Sequence, residues 1–165
     1  MIERVLTDPH NKMDSLITTI NYIVDQSTEL KNKYTGELSA PVEFACVFCQ
    51  SEEEYKQFTN SIETLGKVVE RTKSGSTYLL DNLIETIGGP LRLVKIRKSD
   101  PKRPERGDAD FNTDYKNFKA RYQQNSKFEL IKRETFEMLR LSDPNFDAMT
   151  CFSNEPKSKS LGIKL

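Results

Sequence analysis

The chain has 165 residues, with 25 basic and 25 acidic side chains, nine Phe, six Tyr and no Trp. That length holds one ordinary domain with a real core, and the balanced charge argues against the broad basic face that nucleic acid requires. No apolar run approaches the roughly 20 residues that cross a bilayer, and Met1-Ile2-Glu3-Arg4 lacks the apolar core of a secretory signal.

Asp8-Pro9 reads as a helix start. Met13, Leu16, Ile17, Ile20, Ile23, Val24 and Leu30 then recur at helical spacing, predicting a long amphipathic helix that ends before Tyr34-Thr35-Gly36. Its apolar stripe must be buried, on its own domain or against another subunit. Residues 1–40 form this N-terminal extension.

Val42–Cys49 (VEFACVFC) reads as a strand that is apolar apart from Glu43. Alternation puts Phe44, Cys46 and Phe48 on one face and Glu43, Ala45, Val47 and Cys49 on the other. Ser51 and Glu54 have capping-box spacing. The helix that follows turns Tyr55, Phe58, Ile62 and Leu65 inward and stops at Gly66. Lys67–Arg71 and Thr77–Leu80 read as a hairpin about Lys73-Ser74-Gly75-Ser76. Residues 81–89 read as a loop and Leu91–Arg97 as a further strand. The segment 99–107 is rich in Pro and charge and reads as an exposed linker.

The order then repeats. Ala109-Asp110-Phe111 echoes Val42-Glu43-Phe44, and Asp114-Tyr115-Lys116-Asn117-Phe118 echoes Glu54-Tyr55-Lys56-Gln57-Phe58. Asp108–Asn112 is a predicted strand. Thr113 caps a predicted helix reaching about Gln124, and strands follow at Phe128–Lys132, Thr135–Leu141 and Phe146–Phe152. The predicted class is α+β: two βαβββ units over residues 41–153 forming a pair of curled mixed-sheet half-barrels, with an N-terminal amphipathic helix. Residues 154–165 read as a mobile polar tail.

Two consecutive βαβββ units resemble the vicinal oxygen chelate superfamily, the glyoxalase and bleomycin-resistance-like fold. The resemblance covers about Val42 to Phe152 and implies one cleft shared by two half-barrels. Pro90–Arg97 and Gly107–Phe111 are similar to stretches of an uncharacterised, metal-binding branch whose members also carry a helical N-terminal extension. The superfamily places metal ligands, usually His, Gln and Glu, on the first and last strand of each unit. By that resemblance Glu43 and Asp110 stand where His is usual, Lys95 stands where Glu is usual, and Asp147 or Met149 falls on the last strand. The single His, His10, lies outside the repeats, so the two-His, two-Glu set is missing, and a transition-metal site without it would be unusual.

Glu43 and Asp110 occupy equivalent strand positions, and Glu43 is the one charge in an apolar strand, costly to bury alone. The pair lines a cleft and holds a hard cation such as Mg²⁺ or Mn²⁺ or acts as a general base, or else Lys95 or Arg97 neutralises it. Glu137 joins this acidic site or pairs with Arg133 or Arg140. The basic run Lys95, Arg97, Lys98, Lys102, Arg103 and Arg106 is an anion site or a solvated linker. Cys46 and Cys49 have CxxC spacing, but a strand points them to opposite faces. With three cysteines in all, free thiols in a reducing, cytoplasmic compartment are expected.

Two functions compete. One is a small-ligand-binding or interaction protein with an acidic cleft. The other is a metal-dependent enzyme of lyase, isomerase or dioxygenase type acting on a small anionic substrate, with Glu43, Asp110 and Glu137 as catalytic groups and Lys95 and Arg97 as ligand-binding groups. Homo-oligomerisation is open, and no nucleic-acid or membrane partner is expected.

Overall fold

A computed structural model describes residues 9–165. Asp8 and the N-terminal tetrapeptide lie outside the described residues, as do the side chains of His10 and Met13. Helix α1 is Pro9–Tyr34. Strand β1 is Val42–Phe48, helix α2 Glu52–Glu63, and strands β2 Gly66–Thr72, β3 Gly75–Thr86 and β4 Gly89–Arg97 complete the first unit. The second unit is β5 (Gly107–Phe111), α3 (Tyr115–Tyr122), β6 (Phe128–Lys132), β7 (Glu137–Leu141) and β8 (Ala148–Ser153). A short helix α4, Lys157–Ser160, follows. Among the described residues, no helix is long and apolar enough to cross a membrane.

One eight-stranded mixed sheet carries both units in the order β2-β3-β4-β1-β5-β8-β7-β6. The order reads as the same unit twice, related by a twofold between β1 and β5. Those two strands run antiparallel, while each pairs in parallel with the last strand of its own unit. The two copies therefore meet through their first strands. Gly107 is needed at this join, since a Cβ there would lie 2.2 Å from the Cys46 carbonyl oxygen and 2.7 Å from Ile23 Cδ1.

The predicted face assignments explain the layering. Ala45, Val47, Ala109, Phe111, Val94 and Phe152 face the helices in one large core. Phe44, Cys46, Phe48, Leu93 and Met149 form a second, smaller apolar cluster on the opposite face. In α1, Leu16, Ile20, Ile23, Val24 and Leu30 are all buried, so the apolar stripe is spent on its own domain. Buried hydrogen bonds fix its register on the sheet: Ser27 Oγ donates to the Met149 carbonyl and Thr150 Oγ1 donates to the Ser27 carbonyl, each at 2.8 Å. Lys31, 1% exposed, donates to Asn32 Oδ1 at 2.7 Å and to the Glu37 carbonyl and lies over the Phe111 ring. Burial lowers its pKa. In the second unit Phe118 packs on Phe152 with ring centroids 4.1 Å apart and on Tyr122 and Phe128.

Three expectations are corrected. Residues 81–89 are not a loop: β3 continues to Thr86 and turns through Gly89, at φ +107°, directly into β4. Asp81 and Asn82 masked this by their polarity, yet the segment lies on an exposed stretch of hairpin, where polar side chains suit a strand. Helix α3 starts at Tyr115 with Asp114 at its N-cap rather than Thr113. The tail is folded, because α4 and Ile163 pack back onto the sheet. Ser51 caps α2 as read, its Oγ accepting from the Glu54 N–H at 3.1 Å, while the returning Glu54 carboxylate accepts from the Gln50 N–H at 3.0 Å, one residue before the cap.

Gly107→Ala is expected to destabilise by about 3 kcal/mol, since backbone rather than a flexible side chain occupies the space. Ile20→Ala is expected to cost about 3 kcal/mol through the cavity it leaves under α1. Urea unfolding checks both, and an Ile20→Ala loss below about 1 kcal/mol would place α1 outside the cooperative fold.

Candidate functional site: a carboxyl pair in a cationic cleft

Strand β5 carries the site because its sequence alternates. Gly107, Ala109 and Phe111 face the helices, which leaves Asp108 and Asp110 side by side on the concave face. Two residues along a strand separate them by about 7 Å at Cα. They line a cavity of about 220 Å³ together with Phe44, Cys46, Lys95, Arg97, Met138 and Cys151. Arg133, Thr135 and Phe136, between β6 and β7, close one side, and Glu155, Lys157 and Ser160 of the C-terminal segment close another.

Each carboxyl has a weak neighbour from β8. Ser153 Oγ donates to Asp110 Oδ2 at 3.3 Å, and Cys151 Sγ lies 3.9 Å from Asp108 Oδ2. Neither carboxyl forms an ion pair with Lys or Arg among the described residues. The cations stand back. Lys95 Nζ donates to Thr72 Oγ1 at 3.1 Å, Arg97 lies over the Phe48 ring, and Arg140 is held by Glu129 at 3.1 Å.

The electrostatics follow from this spacing. Burial pushes the Asp108 carboxyl up, opposed by Arg140, Arg97 and Lys95 at a distance. Burial pushes Asp110 further up, and the neighbouring Asp108 charge adds to it. The two carboxyls titrate as an interacting pair, Asp108 pushed up to about 6 and Asp110 to about 8. Lys95 is pulled down by its own burial. The thiols of Cys46 and Cys151 are pushed well up by burial and by the two aspartates, so neither is a thiolate nucleophile at neutral pH.

Asp110, Lys95 and Arg97 therefore meet in one cleft, but Glu43 and Glu137 do not join them. The β1–β5 register slips between Val42 and Phe44, so Phe44 pairs with Asp110 and Glu43 is the extra residue of a bulge. Its carboxylate, 5% exposed, accepts from Asn112 Nδ2 at 3.0 Å and from the Ser158 N–H at 2.8 Å. The cost of burying Glu43 is thus offset by two donors rather than by Asp110. Glu137 faces the helix side with Leu139 and Leu141. There it meets Lys119 Nζ and the Tyr115 hydroxyl, both at 2.7 Å, rather than Arg133 or Arg140. The Lys119 contact, then Tyr115, holds its pKa low. Asp147 accepts from the Tyr22 hydroxyl at 3.0 Å, and Met149 is in the second core. Of the basic run, Arg106 is committed to Glu54 at 2.8 Å and to the Phe48 carbonyl at 2.7 Å.

Asp108 is the residue sequence reasoning passed over as a site residue. The Asp-Ala-Asp alternation held the signal, because a strand must place both carboxyls on one face. Lys157 gave no such signal, since its position depends on a chain reversal after β8.

The donor set does not fit a divalent cation. Both Glu43 oxygens are already used, Lys95 and Arg97 flank the aspartates, and among the described residues no three His, Cys, Asp or Glu side chains converge as metal ligands.

The chain matches no protein-family model and no curated protein. Its fold is similar to a solved structure described as "Structural Genomics, Protein EC4020", with a TM-score of 0.70 at 11% identity over 94% of this chain and 92% of that one. A weaker similarity, TM-score 0.44 at 10% identity, covers 69% of this chain and 97% of a glyoxalase/bleomycin resistance protein/dioxygenase superfamily member from Vibrio splendidus 12B01. The first likeness shows the fold and extends beyond the paired units.

A carboxyl whose pKa folding raises binds its proton more tightly in the native state. Its protonation favours the fold, and that contribution fades as pH rises from the ordinary value of 3.8 towards and through the raised one. Asp110→Asn is expected to match the wild type near pH 4 and to melt about 3–6 °C higher at pH 9. Melting curves that stay parallel across this range would show that Asp110 is not proton-loaded.

Proposed function

We propose that this chain is a small-molecule-binding protein with a vicinal oxygen chelate-like fold, and that its cleft takes a small anionic ligand at a carboxyl pair of raised pKa rather than at a metal. Two βαβββ units joined through their first strands around one cleft support the likeness to that superfamily. The observation that carries the ligand class is the separation of charge in the cleft. Asp108 and Asp110, with raised pKa values, line the cavity with Lys95, Arg97 and Lys157, and among the described residues no ion pair joins either carboxyl to a cation. An anionic oxygen placed between them accepts from the cations and from the protonated carboxyl.

The sign of proton exchange tests this. An anion beside Asp110 raises its pKa further, so binding takes up a proton and weakens as pH rises. A divalent cation would release protons. Titration calorimetry with oxalate, malonate, pyruvate and inorganic phosphate, repeated in buffers of different ionisation enthalpy, is expected to show uptake for an anion that binds. Arg97→Gln is expected to weaken that anion by more than about tenfold. Stoichiometric Mg²⁺ or Mn²⁺ in elemental analysis of the purified protein, with proton release on titration and no anion binding, would overturn the reading in favour of a metal-dependent enzyme.

A further inference from the structure

The C-terminal segment does something the sequence did not indicate. After β8 the chain turns back across the concave face, where Glu155, Lys157 and Ser160 become cleft wall. Lys157 Nζ pairs with Glu70 at 2.7 Å and lies over the Phe44 ring. Ile163 packs on the cluster of Phe44, Cys46, Phe48 and Leu93 with Val69 and Leu79. Glu43 accepts the Ser158 N–H, so a buried carboxylate on the central strand holds the segment by its backbone. Nothing in 154–165 is fully buried, and α4 spans four residues, too short to be stable alone.

The 220 Å³ cavity lies where the units meet, lined by Phe44, Cys46, Lys95 and Arg97 of the first and Asp108, Asp110, Cys151 and Ser153 of the second. The segment packs over neighbouring first-unit residues, with Ile163 against Val69 and Leu79 and Lys157 on Glu70. It therefore borders the cavity and places a lysine at its edge. Two hydrogen bonds between Asn154 and Glu137 hold the segment's base, and beyond it the ties are the Lys157–Glu70 pair, the Ser158–Glu43 bond and Ile163; few buried contacts of this kind are what a locally opening element has.

We propose that residues 154–165 form a strap that gates the cleft: it opens at the Glu43 and Ile163 anchors to admit the ligand, and closes to set Lys157 against the ligand's anionic group. The ligand half of this rests on the anion-binding reading above. Glu43 is then a positioning residue, acting through the Ser158 backbone, and Lys157 the strap's own binding residue.

Thiol labelling reads the strap directly, because Cys46 lies in the cluster that Ile163 covers while Cys49 is buried in the helix-side core. Ile163→Asp sets a charge against that cluster. Labelling the full chain with iodoacetamide at constant pH, with peptide mass analysis, is expected to modify Cys46 at least tenfold faster in Ile163→Asp than in the wild type, with Cys49 unchanged. Glu43→Gln, which weakens the second anchor, is expected to speed Cys46 severalfold. If Ile163→Asp speeds both cysteines equally it has loosened the whole fold, and Glu43→Gln decides alone. A Cys46 rate that rises in neither variant relative to Cys49 overturns the strap. Calorimetry with oxalate separates the two readings. Wild-type binding that survives unchanged in Lys157→Met and Ile163→Asp removes the strap from the site and leaves the anion reading standing. No oxalate or phosphate binding by any variant defeats the anion reading, and with it the role given to Lys157, while the labelling still judges the gate.

Discussion

The antiparallel pairing of β1 with β5 is the contact on which the rest of the structure depends. It joins the two units, and it brings them close enough that only glycine is tolerated at 107. Because a strand alternates, this pairing sets both layers at once. Ala45, Val47, Ala109 and Phe111 are committed to the helices, and everything between them is committed to the cleft. Any polar residue at an alternate position of β5 becomes a buried group on the cleft floor, whatever that costs.

The bulge at Glu43 modifies this rule at one point. A register slip of one residue frees Glu43 from the alternation that would have turned it into the helix-side core. Its carboxylate finds donors on Asn112 and on the Ser158 backbone instead. The two acidic residues that look equivalent in the repeats therefore have different work. Asp110 stays in the cleft, where burial pushes its carboxyl pKa up, while Glu43 ties down the C-terminal segment. Equivalent places on the first strand of each unit supplied the positions, and the local backbone decided their roles.

The cleft holds its charges apart. Desolvation alone would favour neutral aspartates, and close ion pairs with Lys95 or Arg97 would favour charged ones. The structure does neither fully, since Lys95 is held by Thr72 and Arg97 by the Phe48 ring and Asp100. A site of this kind stays responsive to a charged molecule, because among the described residues neither aspartate has a cation in contact.

The sequence by itself determined the α+β class, the strand order of both units, the helical stripe of α1, the Ser51 cap of α2 and the sharing of faces along β1 from Phe44 onward. Each of these is a matter of local periodicity, and period 2 or 3.6 survives in one dimension. It also placed Lys95, Arg97 and Asp110 on cleft-facing strands. The tertiary structure alone decided the partners. That Glu43 meets Ser158 across 115 residues, that Glu137 meets Lys119, and that a polar tail becomes the wall of a cleft all depend on long-range pairing and chain reversal. Charged side chains carry no periodic signal for the partner they will meet, so the identity of the site emerged only when the sheet brought its strands together.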